Sequence, residues 1–331
     1  MINFKLFIIK MKKNKFNFIL FFNLVVFINS FIIEHHKKPV IGMYGLVEPI
    51  SDYEKYTKEA IDGGFVRWLE ASGAEVVVIH IWYTHEQIIS LLNQINGVLF
   101  SAGPRRPLKY DEPWELKAKY IFDYAKNNGI PIWGTCLGMQ MITKFMADDN
   151  KPLDKYDNIG LKKVELTNLA KESNLLSLFK EKDYDNLNNS ETSFHIHKHG
   201  ISPESFYSNK NLVENYDIIG YGYDKNGKKF VNIIESKKGL KHKIFGTQFH
   251  PEKNPFERAN WFKEKNPMDA LRRSQLIIMK FIEETRNNGN NFINDDEKSK
   301  YTFINTYETL KVGTYDKSLN YYYFEKKDFS N

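Results

Sequence analysis

The segment PIWGTCLGMQ, residues 131–140, runs from apolar residues into glycine, then cysteine, then glycine again. Cys136 is the only cysteine in the chain. Ile130 to Gly134 reads as a short buried strand, and the residues after Cys136 open a helix. A nucleophile placed between a strand and the following helix points into the crevice beyond the carboxyl ends of a parallel sheet. The sharp turn this requires needs small neighbours, which Gly134 and Gly138 supply. The free N–H groups and positive end of a helix starting at Leu137 favour a thiolate and can hold an oxyanion. GTCLG therefore reads as a nucleophile elbow with Cys in place of Ser. The bland alternative is a small buried hydrophobe, the usual fate of a lone cysteine.

Patterns outward from this point agree with such a sheet. PVIGMYG (39–45), AEVVVIHIW (74–82) and GVLFSAG (97–103) are short apolar or β-branched runs with little alternation, as expected of strands covered on both faces. Between them lie three helical patterns. In residues 54–72, Ala60, Ile61, Phe65, Trp68 and Leu69 share a face, with Gly73 as the stop. Thr84 caps residues 84–95. Residues 111–129 carry Pro113 in the first turn and Gly129 at the end. Strands alternating with helices predict right-handed βαβ units, giving an α/β fold with a doubly wound, mostly parallel sheet and helices on both faces. Further strands are expected at 194–199, 217–223 and 230–235, forming a smaller antiparallel extension. One more lies in HKIFGTQFHPEK (242–253), and a late amphipathic helix spans 274–286. Residues 287–300 read as a polar linker. The tail to Asn331 carries aromatic beads able to lay one or two strands on the body.

The 331 residues allow one decorated domain or two small ones. The formal charge of +6 is modest, and Lys5, Lys10, Lys12, Lys13 and Lys15 supply much of it. There is no basic stripe interleaved with aromatics, which argues against nucleic-acid binding. One cysteine excludes an intrachain disulfide framework. MKKNK (11–15) followed by FNFILFFNLVVFINSFII (16–33) has the form of a signal peptide, so residues 1–33 read as an address. An uncleaved anchor is the alternative, since 18 residues just span a bilayer, though Asn17, Asn23 and Asn29 weaken it. Cleavage would leave no stable membrane association. The sequon at Asn188 suits a secretory route.

A cysteine nucleophile needs a base. His35 and His36 lie before the fold, His80 and His85 beside a strand and a helix cap, and His242 in a Lys-rich turn. His195, His197, His199 and His250 remain. His250 follows IFGTQF and so stands at a strand's carboxyl end. Glu252 can turn back to hold the imidazole, giving a Cys–His–Glu arrangement by role. From spacing alone, a plain surface turn explains HPEK equally well. His195, His197 and His199 alternate on a strand and also admit a metal reading. Three ligands on one flat strand rarely close a tetrahedron, so the metal reading is the weaker.

GTCLGMQ together with GTQFHPEK resembles the class I glutamine amidotransferase superfamily. PVIGMYG, YTKEAIDGGFVRWLEASGAEVVVIH, INGVLFSAG, IPIWGTCLGMQ, IHKHGISPESF and GTQFHPEKNPFE are more closely similar to the γ-glutamyl hydrolase family, the folate polyglutamate hydrolases of lysosomes, vacuoles and extracellular fluid. The likeness covers residues 39–286. It implies a Cys136 nucleophile, a His250 base and Glu252 as its orienter. It further implies substrate contacts at His197 and Tyr56, and an oxyanion hole from the backbone N–H groups of Gly103 and Leu137. Ser101-Ala102-Gly103 departs from the family's usual Pro-Gly-Gly. Gln140, assigned here to the substrate site, stands where animal members often carry Glu. A polyanionic folyl-poly-γ-glutamate substrate would favour cations, for which Arg105, Arg106 and Lys253 are candidates. The resemblance implies no metal or organic cofactor, and the family often forms homodimers. Two other readings stay open: a glutaminase-type amidotransferase that passes ammonia to a partner, and a secreted binding protein on an inactive hydrolase scaffold.

Overall fold

The computed structural model describes residues 38–47, 58–103, 112–149, 151, 153–256, 267–304, 310–311 and 320–325. The N-terminal segment 1–33, Tyr56, Arg105 and Arg106 lie outside them. Nine strands form the main sheet: β1 (Val40–Tyr44), β4 (Glu75–Ile79), β5 (Gly97–Phe100), β6 (Ile132–Thr135), β8 (Glu165–Leu166), β10 (Tyr216–Tyr223), β11 (Lys229–Ser236), β12 (Ile244–Thr247) and β13 (Phe303–Ile304). Their order is β13-β4-β1-β5-β6-β12-β11-β10-β8. The middle five, β4 to β12, are mutually parallel. β11, β10 and β8 extend the sheet antiparallel on one side, and β13 closes it antiparallel on the other. A four-stranded sheet holds β2 (Leu46–Val47), β3 (Lys58–Asp62), β14 (Leu310–Lys311) and β15 (Asn320–Glu325) in the order β14-β15-β3-β2. β7 (Asp154–Lys162) and β9 (Ser193–Gly200) form a separate antiparallel pair.

The period-two geometry of the strands divides the core. On β1, Val40 and Tyr44 enter one apolar cluster while Ile41 and Met43 enter the other; on β4, Val77 and Ile79 oppose Val76 and Val78 in the same way. The first cluster is covered by α2 (His85–Leu92), α3 (Pro113–Asn128) and α4 (Leu137–Ala147), through Ile88, Ile121, Phe122 and Phe145 among others. The second is covered by α1 (Gly63–Glu70) and the long helix Pro267–Arg286, through Phe65, Trp68, Ile278 and Phe281. Both faces are apolar because both are roofed. This explains why the parallel strands read as continuous hydrophobic runs.

Local signals set the helix ends. Thr84 caps α2 in a full capping box with Gln87. Pro113 occupies the first turn of α3, and Gly129 ends it in the left-handed conformation at φ 70°. The helix expected over 54–72 is shorter than its periodicity suggests: it begins at Gly63, and residues 58–62 form β3. Tertiary pairing overrides the local pattern there, because β3 lies between β2 and β15 and buries Glu59 and Ile61. Asp62 then starts the helix by accepting from the Gly64 N–H at 2.7 Å.

The polar residues after Arg286 are tied to the body. Asn290 Nδ2 donates to the carbonyls of Leu92 and Ile95, each at 3.0 Å, and Asn96 Nδ2 donates to those of Asn288 and Asn290. A short helix at Asp295–Ser299 leads to β13. The tail's aromatic beads are used as expected, with β13 on the main sheet and β15 beside β3.

Phe281 is fully buried, 5.7 Å from the ring of Trp133 and 6.4 Å from that of Phe245. Phe281→Ala should cost about 3–5 kcal/mol, since the sheet and helix cannot collapse into the space left. A urea titration should show a lower midpoint at an unchanged m value.

Candidate active site

The ends of β6 and β12 meet in register, Thr135 opposite Thr247, and the chain turns sharply after each. The Cys136 N–H donates to the Thr247 carbonyl at 2.8 Å, so the backbone of Cys136 is fastened to the strand that leads to His250. Cys136 has φ 53° and ψ −104°, a conformation L-residues avoid. Holding it costs about 1–3 kcal/mol, which the surrounding structure must overcome. Two glycines make this possible. A Cβ on Gly134 would lie 2.7 Å from the Gly138 carbonyl, and one on Gly138 would overlap the Phe100 carbonyl oxygen. The first turn of α4 therefore presses directly onto β5 and β6. The thiol is 6% exposed and points its S–H toward the Ile196 carbonyl of β9, 4.0 Å away.

Three residues past β12, His250 is fixed by its own backbone. Its N–H donates to the Phe194 carbonyl at 2.8 Å, and the preceding Gln248 N–H donates to that of Asn232 at 2.8 Å. The imidazole Nδ1 donates to Glu252 Oε1 at 2.8 Å, with both side chains almost wholly buried. The Pro251 carbonyl between them accepts from Ser274 Oγ at 2.7 Å, and that hydroxyl accepts from Trp68 Nε1 at 2.9 Å. The turn HPEK is thus clamped by helices on the far face of the sheet. Burial alone would lower the His250 pKa; the Glu252 carboxylate and the Cys136 sulfur outweigh it and raise it to about 9. The ring therefore carries its proton at neutral pH. Its second nitrogen, Nε2, is buried with no protein hydrogen bond at ordinary length, and catalytic hydrogen bonds often close only around a substrate.

Gly103 and Leu137 come together as well. A Cβ on Gly103 would overlap the Leu137 side chain, so the loop after β5 rests on the first residue of α4. Their N–H groups therefore belong to adjacent loops beside Cys136.

His197 is also brought in, with both nitrogens engaged. Nε2 accepts from Asn158 Nδ2 at 3.0 Å, and Nδ1 donates to the His199 carbonyl at 2.9 Å. Burial drives its pKa down to about 4, so it is a neutral, fixed ring. His195 is buried next to it, Nδ1 to Nε2 3.3 Å, and is held neutral by burial and by its histidine neighbours. Among the described residues, no group of three or more His, Cys, Asp or Glu is arranged to hold a metal ion. Gln140 has a strut's position. Its Nε2 donates to the His199 carbonyl at 2.7 Å and to Gln248 Oε1 at 3.2 Å, joining α4, β9 and the segment leading to His250. Lys253 opens the short helix Lys253–Phe256, half-buried beside the base. Asn188 is exposed in the last turn of the helix Glu181–Asn189, its Oδ1 accepting from the Leu166 N–H at 3.1 Å.

Sequence reasoning missed Asp62. Its buried carboxylate caps α1 and faces Lys253, Glu252 and His250. Burial raises its pKa most, Lys253 opposes this, and Glu252 adds to it. The available signal was Asp-Gly-Gly ahead of an apolar helical face, an N-cap signature hidden by reading the helix from residue 54.

Residues 54–265 match the family profile Glutamine amidotransferase class-I. Gamma-glutamyl hydrolase B of Dictyostelium discoideum is 29% identical over 265 residues, covering 78% of this chain and 75% of that protein. Gamma-glutamyl hydrolase of Rattus norvegicus is 29% identical over 281 residues, covering 82% and 86%. The Bos taurus enzyme of the same name is 26% identical over 289 residues, covering 85% and 89%.

The raised pKa of His250 has a defined pH signature. The imidazolium–Glu252 interaction stabilises the fold fully below the unfolded value of 6.5 and is lost as pH rises through about 9. Glu252→Gln removes the largest cause that raises the pKa, leaving burial to push it down. NMR titration of His250 should then move from about 9 toward or below 6.5, and the fall in thermal midpoint across that window should disappear.

Proposed function

The chain belongs to the class-I glutamine amidotransferase family, and from that premise we propose that it is a cysteine hydrolase of γ-glutamyl bonds in folyl- and antifolyl-poly-γ-glutamates. One observation carries the reading: a strained cysteine at a strand-to-helix elbow, electrostatically coupled to a histidine that a buried glutamate holds. The relatives named gamma-glutamyl hydrolase, matched over most of their length, support the choice of bond.

In the proposed reaction, Cys136 attacks the side-chain carbonyl of a γ-glutamyl amide, its proton resting on His250. The oxyanion is received by the N–H groups of Gly103 and Leu137, preorganised by the contact between their loops. The His250 imidazolium gives its proton to the departing amine as the C–N bond breaks, leaving a thioester on Cys136. Neutral His250 then takes a proton from water as the hydroxyl adds to the thioester, and the C–S bond breaks to release the acyl group, restoring the thiolate–imidazolium pair. Glu252 keeps Nδ1 protonated and Nε2 directed at the chemistry. His197, Tyr56, Arg105 and Lys253 are the residues proposed to meet the substrate, with Gln140 positioning β9. The reaction requires no metal or organic cofactor. The N-terminal segment and the Asn188 sequon support a secreted or lysosomal and vacuolar location, and pairing of two copies is part of the same reading.

The second reading, a glutaminase that supplies ammonia, shares the chemistry as far as the thioester and draws on the family name itself. Incubating purified protein with pteroylpentaglutamate, and separately with glutamine, distinguishes them. Glutamate or short polyglutamates from the first substrate is the expected result. Ammonia from glutamine alone supports the glutaminase, and no product from either supports an inactive binding scaffold. Cys136→Ala should lower turnover by at least about a thousandfold with an unchanged unfolding midpoint. Retained turnover would mean another nucleophile. Expressed in a secretory host, the chain should reach the medium without residues 1–33, checked by N-terminal sequencing, and should lose mass on N-glycosidase treatment if Asn188 carries a glycan.

A further inference from the structure

The wall behind Gly103 is built by a part of the chain that the proposed mechanism does not use. Leu46 on β2 packs against Gly103; a Cβ there would stand 3.2 Å from Leu46 Cδ2. β2 is only two residues long and cannot hold itself in place. It pairs with β3, Leu46 opposite Ala60 and Val47 opposite Glu59. On its other edge, β3 pairs with the C-terminal strand β15 over five residues, from Asp62–Tyr321 to Lys58–Glu325.

A fully buried carboxyl–imidazole hydrogen bond lies at the root of this sheet. Glu59 and His80 are both 0% exposed. Glu59 Oε1 is hydrogen-bonded to His80 Nδ1, and Oε2 accepts from the Ile81 N–H at 3.0 Å. His80 Nε2 meets Thr302 Oγ1 at 2.8 Å, while the Thr302 carbonyl accepts from the Val78 N–H at 2.9 Å. The imidazole stacks on Trp82 at 4.5 Å and takes the ring edges of Tyr83 at 5.0 Å and Phe324 at 5.4 Å. Gly45, between β1 and β2, is obligatory, because a Cβ would overlap the Glu59 carboxylate. Trp114 Nε1 secures the same residue by donating to its carbonyl at 2.8 Å. One ring thus joins four segments: β3, the end of β4, the lead into β13, and β15. A buried polar pair persists only if its remaining polar atoms are satisfied. Here the hydroxyl that meets the last imidazole nitrogen comes from the C-terminal segment.

We propose that the C-terminal segment is a clasp on the catalytic cleft, with Glu59, His80 and Thr302 as positioning residues that hold β2 and β3 and, through Leu46, the Gly103 N–H. The role of that N–H rests on the hydrolase reading above; the clasp itself rests on the contacts just described. Thr302→Val keeps shape and backbone pairing but removes the hydroxyl, while Thr302→Ser keeps it. In the full chain, Thr302→Val should speed amide hydrogen exchange of residues 44–47 by about tenfold, the equivalent of one hydrogen bond. It should also lower kcat on pteroylpentaglutamate by roughly threefold to tenfold with KM nearly unchanged, because an oxyanion donor acts in the transition state. Thr302→Ser should restore both. The rate of Cys136 alkylation by iodoacetamide, which needs no oxyanion donor, should stay at the wild-type value. Unchanged exchange at residues 44–47 overturns the clasp, and so does faster exchange with a wild-type kcat. A wild-type chain inert toward γ-glutamyl substrates overturns the hydrolase reading instead, and the exchange measurement alone then decides the clasp.

Discussion

The hydrogen bond from the Cys136 amide to the Thr247 carbonyl is the constraint on which the site depends. It holds a cysteine in a backbone conformation it would otherwise leave, and it does so from the strand that ends three residues before the base. Strain at the nucleophile and placement of the imidazole are therefore one structural fact. The glycines on either side of Thr135-Cys136-Leu137 take part by removing the side chains that would push α4 off the sheet. A parallel sheet suits this task, since its two neighbouring strands deliver their carboxyl ends to the same edge even though their sequences lie far apart.

Electrostatics completes the site. The cleft gathers one cysteine, one glutamate and a second carboxylate at Asp62 around a single buried imidazole, with Lys253 balancing the acids. His195 and His197 lie nearby but are kept neutral by burial, so they add no competing positive charge. Of the three rings here, only that of His250 is protonated on both nitrogens at neutral pH, because the Glu252 carboxylate and the Cys136 sulfur oppose the cost of burial. That contrast sets the His250 ring apart from those of His195 and His197, although all three have similar burial.

Much of this was legible in the sequence because the signals are local. Pro113, Gly129 and Thr84 mark helix ends through backbone chemistry that does not depend on the rest of the fold. Gly134 and Gly138 announce the elbow for the same reason. The HPEK turn was ambiguous from spacing, and register resolves it: Thr247 pairs with Thr135, which no local pattern contains. β3 was misread as helix because its conformation is set by β15, more than 250 residues later. Asp62 was obscured in a related way, and Gln140, read as a substrate-site residue, shows its backbone contacts only in the fold. Asp62 matters through neighbours brought in by a distant turn, and Gln140 spends its amide on the backbone of β9.

In the main sheet, β12 is inserted between β6 and β11, so the last parallel strand is also the one that brings His250. A ribosome emits Cys136 more than a hundred codons before His250. Throughout that interval the emerging polypeptide holds a thiol with neither its imidazole nor the carbonyl that bends its backbone. The Cys136–His250–Glu252 arrangement is assembled only when the final parallel strand is threaded home, so it belongs to the tertiary fold and to no fragment that ends before it.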